Sequence, residues 1–187
     1  MQLTSIDVNN YGDRLSVITD TTWEEYKNLS LPNCLISYKD NVITIMSPGR
    51  NHEIISDLVR AIIWGMARKH DIALFTFNQT RLTYEDKEGK EPDVAYCMGS
   101  DKDKPDLAVE INITSGSIND LTKYQYLNIA EVWIWWKDEI KFFGYTKKGY
   151  KQMQKSKFLS DLTSDMVTDI INSCFGKNLL NVDKMLP

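Results

Sequence analysis

The chain is short of almost everything that would assign it to a specialised class. It has three cysteines in 187 residues, Cys34, Cys97 and Cys174, widely separated and odd in number. Each sits in an apolar context, which favours reduced core thiols over a disulfide framework or a zinc cluster. No low-complexity tract and no internal repeat departs from an ordinary globular composition, 42% hydrophobic and 26% charged. Long apolar runs are missing too: Ala61 to Met66 is among the longest, far below the ~20 residues a membrane span needs. Met1 to Asn10 is polar and mixed, unlike a signal peptide, so a cytoplasmic protein with no membrane partner is expected. A basic excess is absent as well. Twenty-two Lys and Arg against twenty-six Asp and Glu leave a net charge of −4. That argues against a general nucleic-acid coat, whose affinity comes mainly from phosphate neutralisation, but not against a local basic groove or a metal that draws phosphate in.

The chain length suits one domain, 1–187, with residues 1–20 as an arm and 176–187 as a frayed tail. Within the arm, Leu15 to Ile18 carries a strand signal. Thr21 and Thr22 then cap a short helix, Trp23 to Leu29, that ends before Pro32. Cys34–Tyr38 and Val42–Met46 form a hairpin about Lys39-Asp40-Asn41. From Asn51 to about His70, Ile54, Ile55, Leu58, Val59, Ile62, Ile63 and Met66 recur at three-to-four spacing, which predicts a long amphipathic helix capped by Asn51. Strands are expected at Ile72–Phe77 and Thr80–Tyr84, with Glu85–Lys90 as a charged loop. After Ser117 a helix is expected from Ile118 to Ile129, then apolar strands at Val132–Trp136 and Ile140–Tyr145, an edge strand at Lys151–Lys157, and a last helix at Asp165–Cys174. The fold class is mixed α/β: a central β-sheet flanked by one long N-terminal-side helix and a shorter helix after the strand that carries Glu110.

The chemistry concentrates between Glu91 and Tyr124. Asp93 opens an apolar strand directly after Pro92, which cannot extend a ladder through its own nitrogen. Glu110 follows Leu107, Ala108 and Val109 in a second buried run. A buried carboxylate is costly unless paired, protonated or on a metal, so two of them on neighbouring strands suggest a cation site. The plainer reading is a buried salt bridge to Arg81 or Lys123. His52 at the start of the long helix either contacts phosphate or has a structural role. Glu53 has a sufficient explanation in the helix dipole. Gln79 is a candidate supporting amide near the site. Trp133, Trp135 and Trp136 could stack on bases, but on an apolar strand they suit core and dimer surface better.

Taken in order, Ser47-Pro48-Gly49, His52, Pro92-Asp93, Val109-Glu110-Ile111, Thr114-Ser115-Gly116, Tyr124 and Glu131-Val132-Trp133-Ile134 resemble the Uma2 family, also known as DUF820, a branch of the PD-(D/E)XK nuclease superfamily. The resemblance runs from Thr22 to about Phe143. It implies a restriction-endonuclease-like core, metal-dependent hydrolysis of nucleic-acid phosphodiesters, most simply DNA, and a homodimer. Residue by residue it implies Asp93 and Glu110 as ligands of Mg²⁺ (Mn²⁺ substituting), with the backbone carbonyl of Ile111 as a third, and Glu53 as an added helix carboxylate. The chain departs from the family at the lysine. Asn112 stands two residues after Glu110, where the superfamily has it. Asp120 stands four residues before Tyr124, where the Uma2 branch has it. Lys123, one helical turn from Asp120, is the candidate that replaces it. An alternative follows from the same departure: a catalytically weak nuclease-fold dimer that binds nucleic acid or acts as a scaffold. A phosphoesterase of small nucleotides is a third reading.

Overall fold

The strands of the chain come in two groups, and Glu91-Pro92-Asp93 is the last of its crossings from one to the other. The structure, a computed structural model, describes residues 2–7, 12–78, 80–113 and 118–187, with the backbone alone for 2–7 and 118–120. The first group is β1 (Gln2–Asp7), β2 (Arg14–Thr19), β3 (Leu35–Lys39), β4 (Val42–Ser47), β6 (Leu82–Tyr84) and β7 (Glu88–Lys90), with α1 (Trp23–Asn28) between β2 and β3. These strands pair antiparallel in the order β1-β2-β4-β3-β7-β6. The second group is β5 (Leu74–Thr76), β8 (Val94–Met98), β9 (Leu107–Asn112), β10 (Glu131–Trp136), β11 (Glu139–Thr146) and β12 (Gly149–Met153), ordered β12-β11-β10-β9-β8-β5. In this sheet β9 and β10 are parallel and the other pairs antiparallel. Among the described residues the single expected sheet is therefore two sheets of six strands.

Each sheet uses both faces. On the first, Ile36, Tyr38 and Ile43 pack on Tyr26 of α1, with Trp23 beside them. That short helix holds its place through a capping box, Thr22 accepting from the Glu25 amide while Glu25 accepts from the Thr22 amide. On the second sheet, Val94, Tyr96, Val109, Trp133, Trp135 and Phe142 face α2 (Arg50–Lys69) and α3 (Ser164–Cys174). The three-to-four repeat of α2 delivers Ile55, Leu58, Val59, Ile62, Ile63 and Met66 to that core. Burial stabilises by roughly 1.5–3 kcal/mol per side chain of this size. The other face of the second sheet, Ala108, Val132 and Ile134, meets Tyr124, Leu127 and, from the first sheet, Leu82. Asp93 and Glu110 face this space between the sheets.

Several elements differ from the sequence expectation for identifiable reasons. Gly49, not Asn51, is the N-cap of α2, and no side chain caps it. Asp13 lies close by and accepts from the Gly49 amide at 3.0 Å. Residues Ile118–Tyr124 form a 3-10 helix rather than an α-helix. Leu121, Tyr124 and Leu127 recur at a strict spacing of three, which suits three residues per turn. Glu88–Lys90 is strand β7, not loop, because β3 pairs with it. The strand expected at Leu15–Ile18 is β2, paired with β4, and near the C-terminus Val182 is buried in the core.

Candidate functional site

Three residues carry the chain from one sheet to the other. Lys90 is the last residue of β7, and Val94 the first of β8, with Glu91, Pro92 and Asp93 between. The connector is fixed by its first carboxylate. Glu91 Oε2 accepts the Ile36 amide at 2.9 Å, and Oε1 accepts from Arg81 Nε at 2.9 Å. Arg81 also donates from Nη1 to the carbonyls of Tyr26 and Lys27 and from Nη2 to that of Leu29, at 2.8, 3.2 and 2.9 Å. Its guanidinium lies 4.4 Å above the Tyr26 ring centroid. One arginine thus ties the C-terminal end of α1 to the connector. Arg81 is not the counter-ion of the buried carboxylates that sequence reasoning allowed it to be.

Asp93 and Glu110 meet through strand register. Val94 pairs with Val109 and Ala95 with Ala108, so one step along the same antiparallel register Asp93 stands opposite Glu110. Both are buried. Asp93 Oδ2 accepts the Ile111 amide at 2.7 Å. Its Oδ1 lies 3.2 Å from His52 Nε2, but the contact lacks hydrogen-bond geometry, and both atoms are buried without a hydrogen-bond partner among the described residues. Glu110 Oε2 is paired with Lys90 Nζ at 2.7 Å, and Tyr124 donates its hydroxyl to Oε1. Arg60 donates to the Asp93 carbonyl at 3.2 Å.

The electrostatics follow from burial. Desolvation pushes the Glu110 carboxyl up to about 7; Lys90 opposes the rise and the Asp93 charge adds to it. The Tyr124 hydroxyl is raised well above its usual range by burial and by Glu110, so it stays a donor. For His52, burial works against the charged ring, but Asp93, with Asp13 and Glu53 behind it, outweighs burial and raises the pKa. The carboxyl of Asp13, also buried, is raised by desolvation.

A cavity of about 190 Å³ opens onto this pair. Asp13, Lys90, Asp93, Glu110, Asn112 and Lys123 line its polar side, and Leu15, Val17, Leu35 and Met46 of the first sheet form an apolar floor. A second cavity of about 350 Å³ reaches Asp93 past His52, Glu53, Ser56 and Arg60. Of the residues expected at the site, Asp93, Glu110, Ile111, Asn112 and Lys123 thus share one cavity, and His52 holds Asp93 from behind. Asn112 Nδ2 is buried there with no hydrogen-bond partner among the described residues. Glu53 stands apart, its side chain about half exposed and 3.9 Å from His52 Nδ1. Gln79 lies outside the described residues, and of Asp120 only the backbone is described. Sequence reasoning missed Lys90 and Asp13. Lys90 sat inside a run of charges that reads as a solvated turn, and only its place directly before Glu91-Pro92-Asp93 hinted otherwise.

The donor chemistry fits a divalent cation. Both carboxylates supply hard oxygen, and Asp93 Oδ1 is buried without a hydrogen-bond donor among the described residues. Among the described residues no group of three or more His, Cys, Asp and Glu side chains is arranged to hold a metal alone. Any ion here would therefore depend on two carboxylates, backbone oxygen, water and phosphate. Nor is any helix among the described residues long and apolar enough to cross a membrane.

Comparisons with known proteins bear on the fold and the family. No curated protein matches the sequence. Among solved structures the chain is similar to "a putative nuclease belonging to DUF820 from Anabaena variabilis ATCC 29413", at 14% identity and a TM-score of 0.60. The match covers 80% of this chain and 98% of that one, which shows a shared fold. The family model Uma2, described as "Putative restriction endonuclease", matches residues 23–174, a span that holds Asp93, Glu110, both candidate lysines and most of both sheets. The chain therefore belongs to the Uma2 family.

Proposed function

We propose that the protein is a divalent-metal-dependent nuclease that hydrolyses phosphodiester bonds of nucleic acid, most simply DNA. The observation that carries this reading is the cross-strand placement of Asp93 opposite Glu110, at a cavity also lined by Lys90 and Lys123. Asp93 and Glu110 would hold Mg²⁺ or Mn²⁺, with the Ile111 carbonyl as a backbone ligand. A bound ion of this kind polarises the scissile phosphate and lowers the pKa of an attacking water. The chain's own residues supply the rest. Lys90, held 2.7 Å from Glu110, is the fixed cation for charge developing on the phosphate, a role assigned on sequence grounds to Lys123. Lys123 remains a second cation at the cavity wall. Tyr124 and Lys90 orient Glu110, and His52 with the Ile111 amide orients Asp93. Asn112, with a free buried amide, suits a water or phosphate oxygen. Asp120, Glu53 and Gln79 carry no role in this reading.

The test is a melting curve with and without Mg²⁺ or Mn²⁺, together with cleavage of plasmid and oligonucleotide substrates. The cation is expected to raise the melting temperature, and Asp93→Ala with Glu110→Ala to remove both that shift and cleavage. An unchanged wild-type melting curve would defeat the metal site.

One observation favours a second reading, a catalytically weak dimer that binds nucleic acid or scaffolds a partner. Lys90 pairs with Glu110, and the His52 ring nitrogen lies 3.2 Å from Asp93, so each carboxylate has a cationic side chain or one that can become so beside it without a metal. Salt-sensitive DNA binding without turnover by pure protein would support that reading; robust metal-dependent cleavage would remove it.

A further inference from the structure

The cavity beside Asp93 and Glu110 continues away from them. Ser37, Thr44 and Lys123 are shared with a neighbouring cavity of about 240 Å³. That one shares Tyr38, Asp40 and Glu88 with a third, of about 400 Å³, bounded by Tyr84 and Tyr126. The register of the first sheet makes this a continuous path. Thr44, Ser37 and Lys90 form one row across β4, β3 and β7, and Val42, Lys39, Glu88 and Tyr84 form the next on the same face. At its end Tyr84 and Tyr126 are stacked, ring centroids 5.2 Å apart and planes 19° from parallel, and Tyr126 is 44% exposed.

We propose that this groove takes a single-stranded run of nucleic acid leading away from the Asp93–Glu110 cavity, with an unstacked base lying on the Tyr126 ring. The inference rests on the nuclease reading above and adds to it which form of substrate the groove selects.

Three points carry it. First, the groove starts at the proposed reaction site, beside Lys90 and Lys123, and ends at a paired aromatic platform, and single-strand binders stack unpaired bases on aromatic rings of this kind. Second, its rim is balanced rather than basic. Lys39 is paired with Glu88 at 2.9 Å and Lys87 with Glu85 at 3.4 Å, and Asp40 and Asp86 stand nearby. Such a rim gives phosphates little to hold, so base stacking, which needs no charge, must supply the grip. Third, a duplex cannot use the platform, because its bases are already stacked. The plainer account, that Tyr126 merely covers Tyr84, leaves unexplained why the covering ring is itself so open at the end of the groove.

The experiment measures anisotropy of fluorescein-labelled decathymidylate, deoxy and ribo forms, on protein carrying Asp93→Asn to prevent cleavage. A matching strand with abasic sites keeps the phosphates and lacks the bases. Tyr126→Ala is expected to weaken binding of the intact strand about tenfold and Tyr126→Phe to leave it nearly unchanged. The abasic strand is expected to bind the Tyr126 protein as weakly as the intact strand binds Tyr126→Ala, with no further loss when both changes are combined. Melting temperatures check that the variants are folded. Equal affinity of Tyr126→Ala and its parent, or a full abasic loss persisting in Tyr126→Ala, would overturn the platform while leaving the nuclease reading standing. If the parent binds neither single strand nor duplex, the nucleic-acid reading fails and the platform with it. Whichever of the deoxy and ribo strands shows the tyrosine dependence identifies the natural strand.

Discussion

Replacing Lys90 by methionine keeps most of the side-chain stem and removes the ammonium from Glu110. Two unit charges 2.7 Å apart attract by about 6 kcal/mol at an effective dielectric of about 20. The net loss is smaller, because the pair also carries the cost of leaving water. Removing one partner of a buried pair usually destabilises by about 3–5 kcal/mol. These side chains are 11% and 4% exposed, so solvent screening discounts little. Glu110 has an escape, however: it can take up a proton. With its carboxyl already raised to about 7 by burial, it is largely neutral at pH 5 even with Lys90 present. A raised carboxyl favours folding below its unfolded value, about 4.3, and loses that contribution as pH climbs through its folded value. Without Lys90 the folded value rises further, so the difference between variant and wild type is expected to be small at pH 5 and to approach about 2 kcal/mol by pH 8.5, the ceiling set by a variant carboxyl that stays protonated. At about 2–4 °C per kcal/mol for a chain of this size, that is a melting difference of about 4–8 °C at the higher pH. Thermal melts in EDTA across pH 5–8.5 read it directly. The double variant Lys90→Met with Glu110→Gln, which removes both charges, should recover most of the loss. A melting difference that stays flat across the range, or no recovery in the double variant, would refute Lys90 as the counter-ion of Glu110.

Two further perturbations test how the site is held. Arg81→Met leaves Glu91 without its cation and strips donors from three carbonyls at the end of α1. It is expected to cost about 3 kcal/mol or more and to lower any cleavage although Arg81 does not line the Asp93–Glu110 cavity; full activity at wild-type stability would disconnect the lock from the site. Gly89→Ala would place a methyl group into the Tyr26 ring, forcing β7 or α1 to move. A loss of about 1–3 kcal/mol is expected, and a variant as stable as wild type would show that α1 packs on β7 more loosely than described.

What could be read from the chain followed how local the cause was. Asp93 and Glu110 stood out because each interrupts an apolar strand within a few residues, and the repeat of α2 states its buried face outright. Lys90 could not be found this way. Its burial comes from β3, more than fifty residues earlier, and within its own run of charges it looks like a turn. Arg81 fails for the same reason, since its partners on α1 are equally remote. The division into two sheets was hidden by the connector: Glu91-Pro92 reads as the lead into one strand, whereas it is the crossing between two layers. The 3-10 helix is the opposite case, a local signal read with the wrong period.

The charge balance of the site links its two expected ligands. Asp93 and Glu110 are answered within the chain by His52 and Lys90, so a divalent cation entering here leaves an excess of positive charge. A phosphodiester restores the balance, and His52 can relieve part of the excess by releasing its proton. Cation and nucleic acid should then strengthen each other's binding by one common factor, of the order of 5–150-fold. Because a proton on Glu110, whose carboxyl is raised to about 7, and the proton on His52, raised above the ordinary 6.5, both compete with the cation, cation affinity should rise with pH through the two transitions. Calorimetric titration of Mg²⁺ with and without an oligonucleotide, in two buffers of different ionisation enthalpy, measures both the coupling and the proton release; Asp93→Asn should abolish them together. If the cation binds and raises the melting temperature while oligonucleotide affinity stays the same with Mg²⁺ or EDTA, the two ligands do not share the site, and the carboxylate pair holds a structural ion rather than the centre of a phosphodiester-cleaving enzyme.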